Sequence, residues 1–125
     1  MKEFKIHVED KPGELARVTE SLAARAVNIK AIASEVAGGK AFLRVVTGDV
    51  TTTEKALSEA AISYEQTDIL NISLMDRPGE LAKVAKKLGK AKINIRSIYI
   101  IGQKNGKTEV ALVVDDMKRA QELLK

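Results

Sequence analysis

One seven-residue phrase occurs twice in this chain, 66 residues apart. Residues 10–16 read DKPGELA and residues 76–82 read DRPGELA. When residues 10–32 are aligned with 76–98, 11 of 23 positions are identical, including an Asn-Ile pair near the end of each segment. A repeat at this spacing indicates two copies of one supersecondary unit, because each copy of such a unit carries the same sequence pattern. The chain is therefore expected to fold as a duplicated unit.

Composition narrows the class of protein. Hydrophobic residues make up 45% of the 125 residues and charged residues 30%, as in soluble globular domains. The chain has no cysteine, which excludes a disulfide scaffold, a thiolate metal site and a cysteine nucleophile. No apolar run is long enough to span a membrane, and the N-terminus lacks a signal-peptide core. We therefore expect a cytoplasmic protein without a membrane partner or a cofactor.

Hydrophobic periodicity predicts the order β-α-β-β-α-β in the first copy. Leu15, Val18 and Leu22 recur at helical spacing after the repeated turn, and the preceding segment alternates apolar and polar residues as a half-buried strand does. The predicted strands are 3–9, 28–36, 41–47 and 61–67, with a helix from Glu14 and a second helix over 53–60 that Thr51–Thr53 can cap.

The second copy repeats this order but is predicted to be shorter by one strand. Leu81, Val84 and Leu88 take the places of the three helical residues of the first copy. The predicted strands are 69–75, 94–101 and 108–114, with a helix from Glu80 and a last helix over 116–124. We place the units at 1–67 and 68–125 and expect them to be rigidly associated, because no Pro-, Gly- or Ser-rich linker separates them.

The repeated turn has the chemistry of an anion-binding site. A helix that begins directly after a turn leaves its first backbone N–H groups without intrahelical acceptors, and the helix dipole favours a negative group there. Gly13 and Gly79 have no side chain, so a ligand can approach the backbone closely. Asp10 and Asp76 can either cap the helix or bind the ammonium group of an amino acid.

An asparagine follows each of these aspartates after 18 residues, at the start of a predicted strand. Asn28 and Asn94 each offer a donor and an acceptor, which together suit a zwitterion. Each residue has an ordinary structural explanation when taken alone, as an N-cap or as part of a turn. The joint occurrence of Asp, Gly and Asn at one spacing in both copies favours a binding site.

The D-x-P-G-E-L-A turn, the Asn-Ile strand start and the β-α-β-β-α-β order resemble the ACT domain, a regulatory module of amino-acid metabolism. The resemblance covers nearly the whole chain as two tandem units. It implies an α+β fold of two ferredoxin-like units whose strands form a joint antiparallel sheet with helices on one face. This sequence departs from the family pattern in that the second unit lacks its last strand. It also implies amino-acid effectors bound where two units meet. The positions implied are Asp10, Gly13, Glu14, Leu15 and Asn28, with Asp76, Gly79, Glu80, Leu81 and Asn94.

These observations predict a regulatory sensor that binds an amino acid at the interface between ACT units and transmits this to a partner or an oligomeric state. The expected partners are another copy of the chain, as a homodimer, and an enzyme or regulator of amino-acid metabolism. The alternative is a module for oligomerisation or docking that binds no ligand. Under that alternative, amino acids leave the thermal stability of the protein unchanged.

Other functions have little support in the sequence. His7 is the only histidine, so one chain contains no histidine-based triad or metal cluster, and no phosphate-binding glycine motif is present. The net charge of +4 comes largely from lysines between Lys83 and Lys92, a run more typical of a solvated helix face than of a nucleic-acid interface. Aromatic residues make up only 3% of the chain, which argues against a base-stacking surface. We expect neither catalysis nor nucleic-acid binding.

Overall fold

A computed structural model describes all 125 residues and divides them into two compact units, Met1–Asp68 and Ile69–Lys125, called unit 1 and unit 2 below. Unit 1 contains β1 (Lys2–Val8), α1 (Glu14–Ala23), β2 (Ile29–Ala37), β3 (Lys40–Thr47), α2 (Val50–Glu59) and β4 (Tyr64–Asp68). Unit 2 contains β5 (Leu70–Met75), α3 (Glu80–Lys90), β6 (Ile95–Lys104), β7 (Lys107–Val114) and α4 (Met117–Leu123). The predicted α+β order is confirmed in both units.

Unit 1 has one four-stranded antiparallel sheet in the order β2-β3-β1-β4. The central strand β1 pairs with β3 from Lys2 opposite Thr47 to Val8 opposite Ala41, and with β4 on its other side. Alternate residues of β1 point to opposite faces of the sheet. Phe4 is therefore on the buried face, where it is fully covered and joins the core of the unit.

Helix α1 covers the buried face of this sheet with one apolar stripe. Val18 and Leu22 are four residues apart, have no solvent exposure and belong to the same core cluster as Phe4 and Ile6. Leu57 of α2 joins that cluster, so both helices of unit 1 pack on one side of the sheet. The helical spacing in the sequence thus identifies the buried face of α1 at Val18 and Leu22, whereas Leu15, the third residue at that spacing, is exposed.

Helix α2 begins three residues earlier than the sequence predicted. Its N-cap is Asp49, whose carboxylate accepts a hydrogen bond from the backbone N–H of Thr52 at 3.1 Å, and hydrogen bonds from Thr52 lower the pKa of Asp49. Thr53, which was expected to cap the helix, lies inside it. Its hydroxyl donates to the carbonyl of Asp49 at 2.7 Å and lies 2.8 Å from the hydroxyl of Thr47, both threonines being fully buried.

Unit 2 has a three-stranded antiparallel sheet in the order β5-β7-β6, with β5 paired to β7 from Leu70 opposite Leu112 to Met75 opposite Lys107. The core includes Leu88 of α3 and Ala120 of α4, both without solvent exposure. This unit contains no counterpart of β4, in agreement with the shorter second copy in the sequence. None of the four helices in the chain has the length and apolar character needed to cross a membrane.

The strands form two sheets, whereas the resemblance implied one joint sheet. The second strand of each unit, β2 or β6, has a hydrogen-bonded neighbour on one side only. Both strands also contain register irregularities, at Ile29–Ala31 in β2 and at Ile95–Ser97 and Ile100–Gly102 in β6. Hydrophobic alternation specifies which face of a strand is buried, but it does not specify what pairs with an outer edge. The strand patterns therefore provide no evidence for a joint sheet, which was expected from the family resemblance alone.

Candidate functional site

A glycine begins the first helix of each unit. Gly13 precedes α1 with φ 93° and ψ −15°, and Gly79 precedes α3 with φ 88° and ψ −13°. This left-handed backbone favours glycine over every other residue. Neither helix has a side-chain cap, and both Asp10 and Asp76 are exposed. The structure therefore excludes capping as the role of these aspartates and leaves their carboxylates at the surface beside the helix start.

Glu14 folds back to close the turn of unit 1. One of its carboxylate oxygens accepts hydrogen bonds from the backbone N–H of Glu9 at 3.2 Å and from the Arg17 guanidinium at 3.0 Å. The side chain is only 12% exposed. The hydrogen bond from Arg17, followed by that from the Glu9 backbone, lowers the pKa of Glu14. Glu14 thus holds the turn in place from within its own unit.

Glu80 occupies the matching position in unit 2 with different partners. Its carboxylate accepts hydrogen bonds from the Arg77 guanidinium at 2.6 Å and from the Lys83 ammonium group at 3.2 Å. These two bonds lower the pKa of Glu80. Both glutamates expected at the site therefore lie in the turns, and each is engaged by cations of its own helix start. A ligand that contacted either one would meet a carboxylate that is already hydrogen-bonded.

A cleft lies beside the turn in each unit. Cleft 1, in unit 1, has a volume of about 160 Å³ and cleft 2, in unit 2, about 140 Å³. Residues lining cleft 1 include Val8, Glu9, Asp10, Lys11, Glu14, Leu15, Ser34, Ala41 and Leu43. Cleft 2 is lined by Leu74, Met75, Asp76, Arg77, Glu80, Leu81, Ile100, Thr108 and Val110. Repeat spacing and strand register make these nine positions equivalent in the two units, whereas Glu35, Val36 and Phe42, which also line cleft 1, have no counterpart in the lining of cleft 2.

An exposed leucine stands at each cleft. Leu15 is 54% exposed and Leu81 is 41% exposed, although both occupy the first turn of an amphipathic helix. Each leucine lies next to the glycine-capped helix start, where the first N–H groups have no intrahelical acceptor. Both clefts therefore combine an apolar wall with an aspartate and the backbone N–H groups of a helix start, of which the Glu80 N–H in unit 2 already donates to the Arg77 carbonyl at 3.4 Å. A small ligand with both charged and apolar groups has matching partners in such a cleft.

The asparagines lie at the other end of each unit. Asn28 immediately precedes β2, whose first residue is level with Lys2 at the start of β1. Cleft 1 lies beside Val8, at the end of β1, and six residues of strand span about 20 Å. Asn94 precedes β6 in the same way, and its backbone exchanges hydrogen bonds with Asp115. Within one unit, the turn and the asparagine therefore cannot contact the same small ligand.

Most of the strand residues that complete the clefts could not be identified from the sequence. Ser34 and Leu43 contribute one wall of cleft 1, and Ile100 and Val110 contribute the matching wall of cleft 2. Their proximity to the turns depends on the register between the second and third strands of each unit. The only hint in the sequence is that Ile100 continues the apolar alternation of an edge strand beyond the Asn-Ile motif.

No group of three or more His, Cys, Asp or Glu residues is placed to hold a metal ion. His7 is exposed, its ring lies at a steep angle to that of Phe42 with the ring centres 5.2 Å apart, and its Nε2 atom is 3.5 Å from Glu65. The lysines of α3 are exposed, and among them Lys83 pairs with Glu80.

The duplicated unit, with helices against one face of each sheet and a glycine-capped turn beside a cleft in both copies, defines a tandem ferredoxin-like protein. A family model described as an ACT domain pair matches residues 1–125. The chain belongs to this family of paired ACT domains, so the resemblance noted in the sequence is confirmed. No curated protein matches the chain significantly.

Solved structures include similar chains. A protein from Bacteroides thetaiotaomicron is 30% identical, with a TM-score of 0.88 over 98% of this chain and 85% of that one. The ligand-free regulatory subunit of aspartate kinase from Thermus thermophilus is 21% identical, with a TM-score of 0.69 over 98% of this chain and 87% of that one. A structure of aspartokinase alpha and beta subunits is 22% identical, with a TM-score of 0.68 over 98% and 88%. The last two similarities show a shared fold.

Proposed function

We propose that this protein is a regulatory sensor that binds an amino acid at its glycine-capped turns. Equivalent clefts in both units support this proposal most strongly. Each cleft combines an exposed aspartate, an exposed leucine and the start of a helix. A turn needed only for folding has no requirement for an exposed leucine beside it. Membership of the ACT domain pair family supports the regulatory role.

Each group of an amino acid has a matching group at the turn. The ligand carboxylate accepts hydrogen bonds from the N–H groups at the start of α1 or α3, where the helix dipole also favours negative charge. The ammonium group is bound by the carboxylate of Asp10 or Asp76, which is not used in capping. The side chain lies against Leu15 or Leu81. Glu14 and Glu80 keep the turns closed.

The asparagines require a second unit. Because Asn28 lies about 20 Å from the turn of its own unit along β1, an amino acid that contacts both kinds of residue must lie between two units. Bound there, the ligand stabilises one arrangement of the units over others. This linkage transmits the signal to a homodimer or to a partner, which we propose is an enzyme or regulator of amino-acid metabolism. No catalytic step is needed for this role.

Isothermal titration of the full chain with the twenty amino acids tests the proposal. We expect saturable heat with at least one of them, and weaker binding when Asp76→Asn and Asp10→Asn remove the carboxylate charges together. Lys118→Gln is a matched control, since it removes a charge from α4 and leaves both clefts unchanged. If the folded protein gives no heat with any amino acid, the proposal is wrong.

A second candidate function is docking without a ligand. Ile32 and Val36 of β2 are 44% and 58% exposed, and Ile98 of β6 is 43% exposed, so both edge strands present apolar side chains to solvent. Exposed apolar residues on an edge strand favour association with another chain. Under this function the protein forms oligomers, and its melting temperature does not rise with any amino acid. A ligand-dependent rise in melting temperature excludes it as the sole function.

A further inference from the structure

The two clefts differ in polarity at three equivalent positions, and at one of them, where Ala41 of cleft 1 corresponds to the buried Thr108, it is cleft 2 that carries the hydroxyl. The other two differences run the opposite way. Glu9 of cleft 1 is replaced by Met75 in cleft 2, and Ser34 is replaced by Ile100. The replaced residues are a carboxylate and a hydroxyl, whereas the residues that replace them are apolar. Because both units share one fold and one turn, the fold itself does not require this difference. Comparing the two clefts of this chain therefore separates residues that the fold needs from residues that can differ between binding sites.

The apolar residues of cleft 2 are placed to contact a ligand. Ile100 is 62% exposed and Met75 is 47% exposed, so neither contributes a fully packed side chain to the core of unit 2. Leu74, Leu81 and Val110 complete an apolar lining around Asp76 and Arg77. A volume of about 140 Å³ is close to that of an engineered apolar cavity of about 150 Å³ that binds benzene. Cleft 2 thus has room for an aliphatic side chain of three or four carbons.

Cleft 1 has a polar wall in the same place. The Glu9 carboxylate lies 2.8 Å from the ammonium group of Lys11, and both residues line the cleft. An aliphatic side chain bound there would displace water from charged groups without replacing their hydrogen bonds, which is unfavourable. The hydroxyl of Ser34 adds a group that requires a polar neighbour when covered. The two clefts therefore favour different amino-acid side chains.

We infer that cleft 2 is selective for amino acids with a branched aliphatic side chain, and that Met75 and Ile100 determine this selectivity. The inference rests on the proposed function, because it concerns which amino acid the turn of unit 2 binds. Each methylene group that the cleft removes from water strengthens binding by about fourfold. Valine, leucine and isoleucine should therefore bind cleft 2 at least tenfold more tightly than alanine or serine.

Isothermal titration of the full chain with leucine, valine, isoleucine, alanine and serine tests the inference. The decisive variant carries Met75→Glu and Ile100→Ser, which gives cleft 2 the two residues of cleft 1. Because both side chains are largely exposed, we expect the variant to fold, and far-UV circular dichroism checks this. The matched control carries Glu9→Met and Ser34→Ile, which changes cleft 1 and leaves cleft 2 intact.

We expect the variant of cleft 2 to lose at least tenfold in affinity for the aliphatic amino acids, and the wild-type preference to persist in the control. If the protein binds amino acids without preferring aliphatic ones, or if the preference survives the changes in cleft 2, the selectivity is wrong while the proposed sensing function stands. If no amino acid binds to the wild-type protein, both are wrong.

Discussion

The requirement for glycine at the start of α3 can be tested by replacing Gly79 with alanine. The same replacement at Gly89, inside that helix, is the control. Gly79 has φ 88°, whereas Gly89, in the last turn of α3, does not have a positive φ. A Cβ atom added at either position meets nothing within 4 Å. Alanine at either site therefore creates no clash within the protein, and the two substitutions differ in the backbone conformation that alanine must adopt.

The two substitutions are expected to change the free energy of unfolding in opposite directions. At Gly79, holding alanine in a left-handed conformation costs about 1–2 kcal/mol, and the loss of freedom in the unfolded chain offsets about 0.5–1 kcal/mol of this. Gly79→Ala should therefore lower the free energy of unfolding by about 1 kcal/mol. Gly89→Ala should raise it by about 0.5 kcal/mol, because alanine is the better helix former.

Urea denaturation followed by circular dichroism at 222 nm measures both effects, with unchanged m-values as the condition for comparing them. Titration with the amino acid that binds most tightly should show weaker binding at cleft 2 for Gly79→Ala, because its methyl group projects into the open space at the helix start, and unchanged binding for Gly89→Ala. Equal stability of Gly79→Ala and Gly89→Ala would show that the left-handed backbone at Gly79 imposes no cost on alanine.

Two further predictions concern unit 1. Because hydrogen bonds from Arg17 and the Glu9 backbone lower the pKa of Glu14, its carboxylate stabilises the fold above its unfolded pKa of about 4.3, and this contribution is lost as the pH falls through the lower folded pKa. Glu14→Gln should thus reduce stability at pH 7 and flatten the loss of stability on acidification, as measured by urea denaturation between pH 7 and 2.5; parallel curves would contradict this. Thr53→Val leaves the buried Thr47 hydroxyl without its partner and should cost about 1–3 kcal/mol, whereas the double variant Thr47→Val/Thr53→Val should cost less than the sum of the two single changes. Additive costs in the same assay would show that the hydroxyl pair is not coupled.

The sequence predicts those parts of the fold that depend on local pattern. Alternation identifies β1 and places Phe4 on its buried face, and helical spacing identifies Val18 and Leu22 as the stripe of α1 that covers it. The start of α2 is less certain from sequence, since Asp49 is followed by several threonines that can also cap a helix. In the structure Asp49 is the cap, whereas Thr53 lies inside the helix with its hydroxyl 2.8 Å from that of Thr47, a contact that no periodic pattern in the sequence predicts.

The candidate site is only partly predictable for the same reason. The repeat identifies the glycine turns, and both turns adopt the left-handed backbone that requires glycine. It does not reveal that Glu14 accepts a hydrogen bond from the backbone of Glu9, or that Ser34 lines the same cleft as Asp10. The fixed spacing of 18 residues between the aspartate and the asparagine also does not reveal how far apart they lie. Helix α1 runs back along β1, so Asn28 lies at the opposite end of that strand from the turn.

Nuclear magnetic resonance can show whether the glycine-capped turns of this 13.6 kDa chain bind an amino acid. Two-dimensional ¹H–¹⁵N spectra recorded during titration with leucine report each backbone N–H separately. We expect the largest shifts at residues 79–81, with smaller shifts at residues 13–15. Spectra that do not change with leucine or any other amino acid, or that change only at residues remote from both turns, would contradict it.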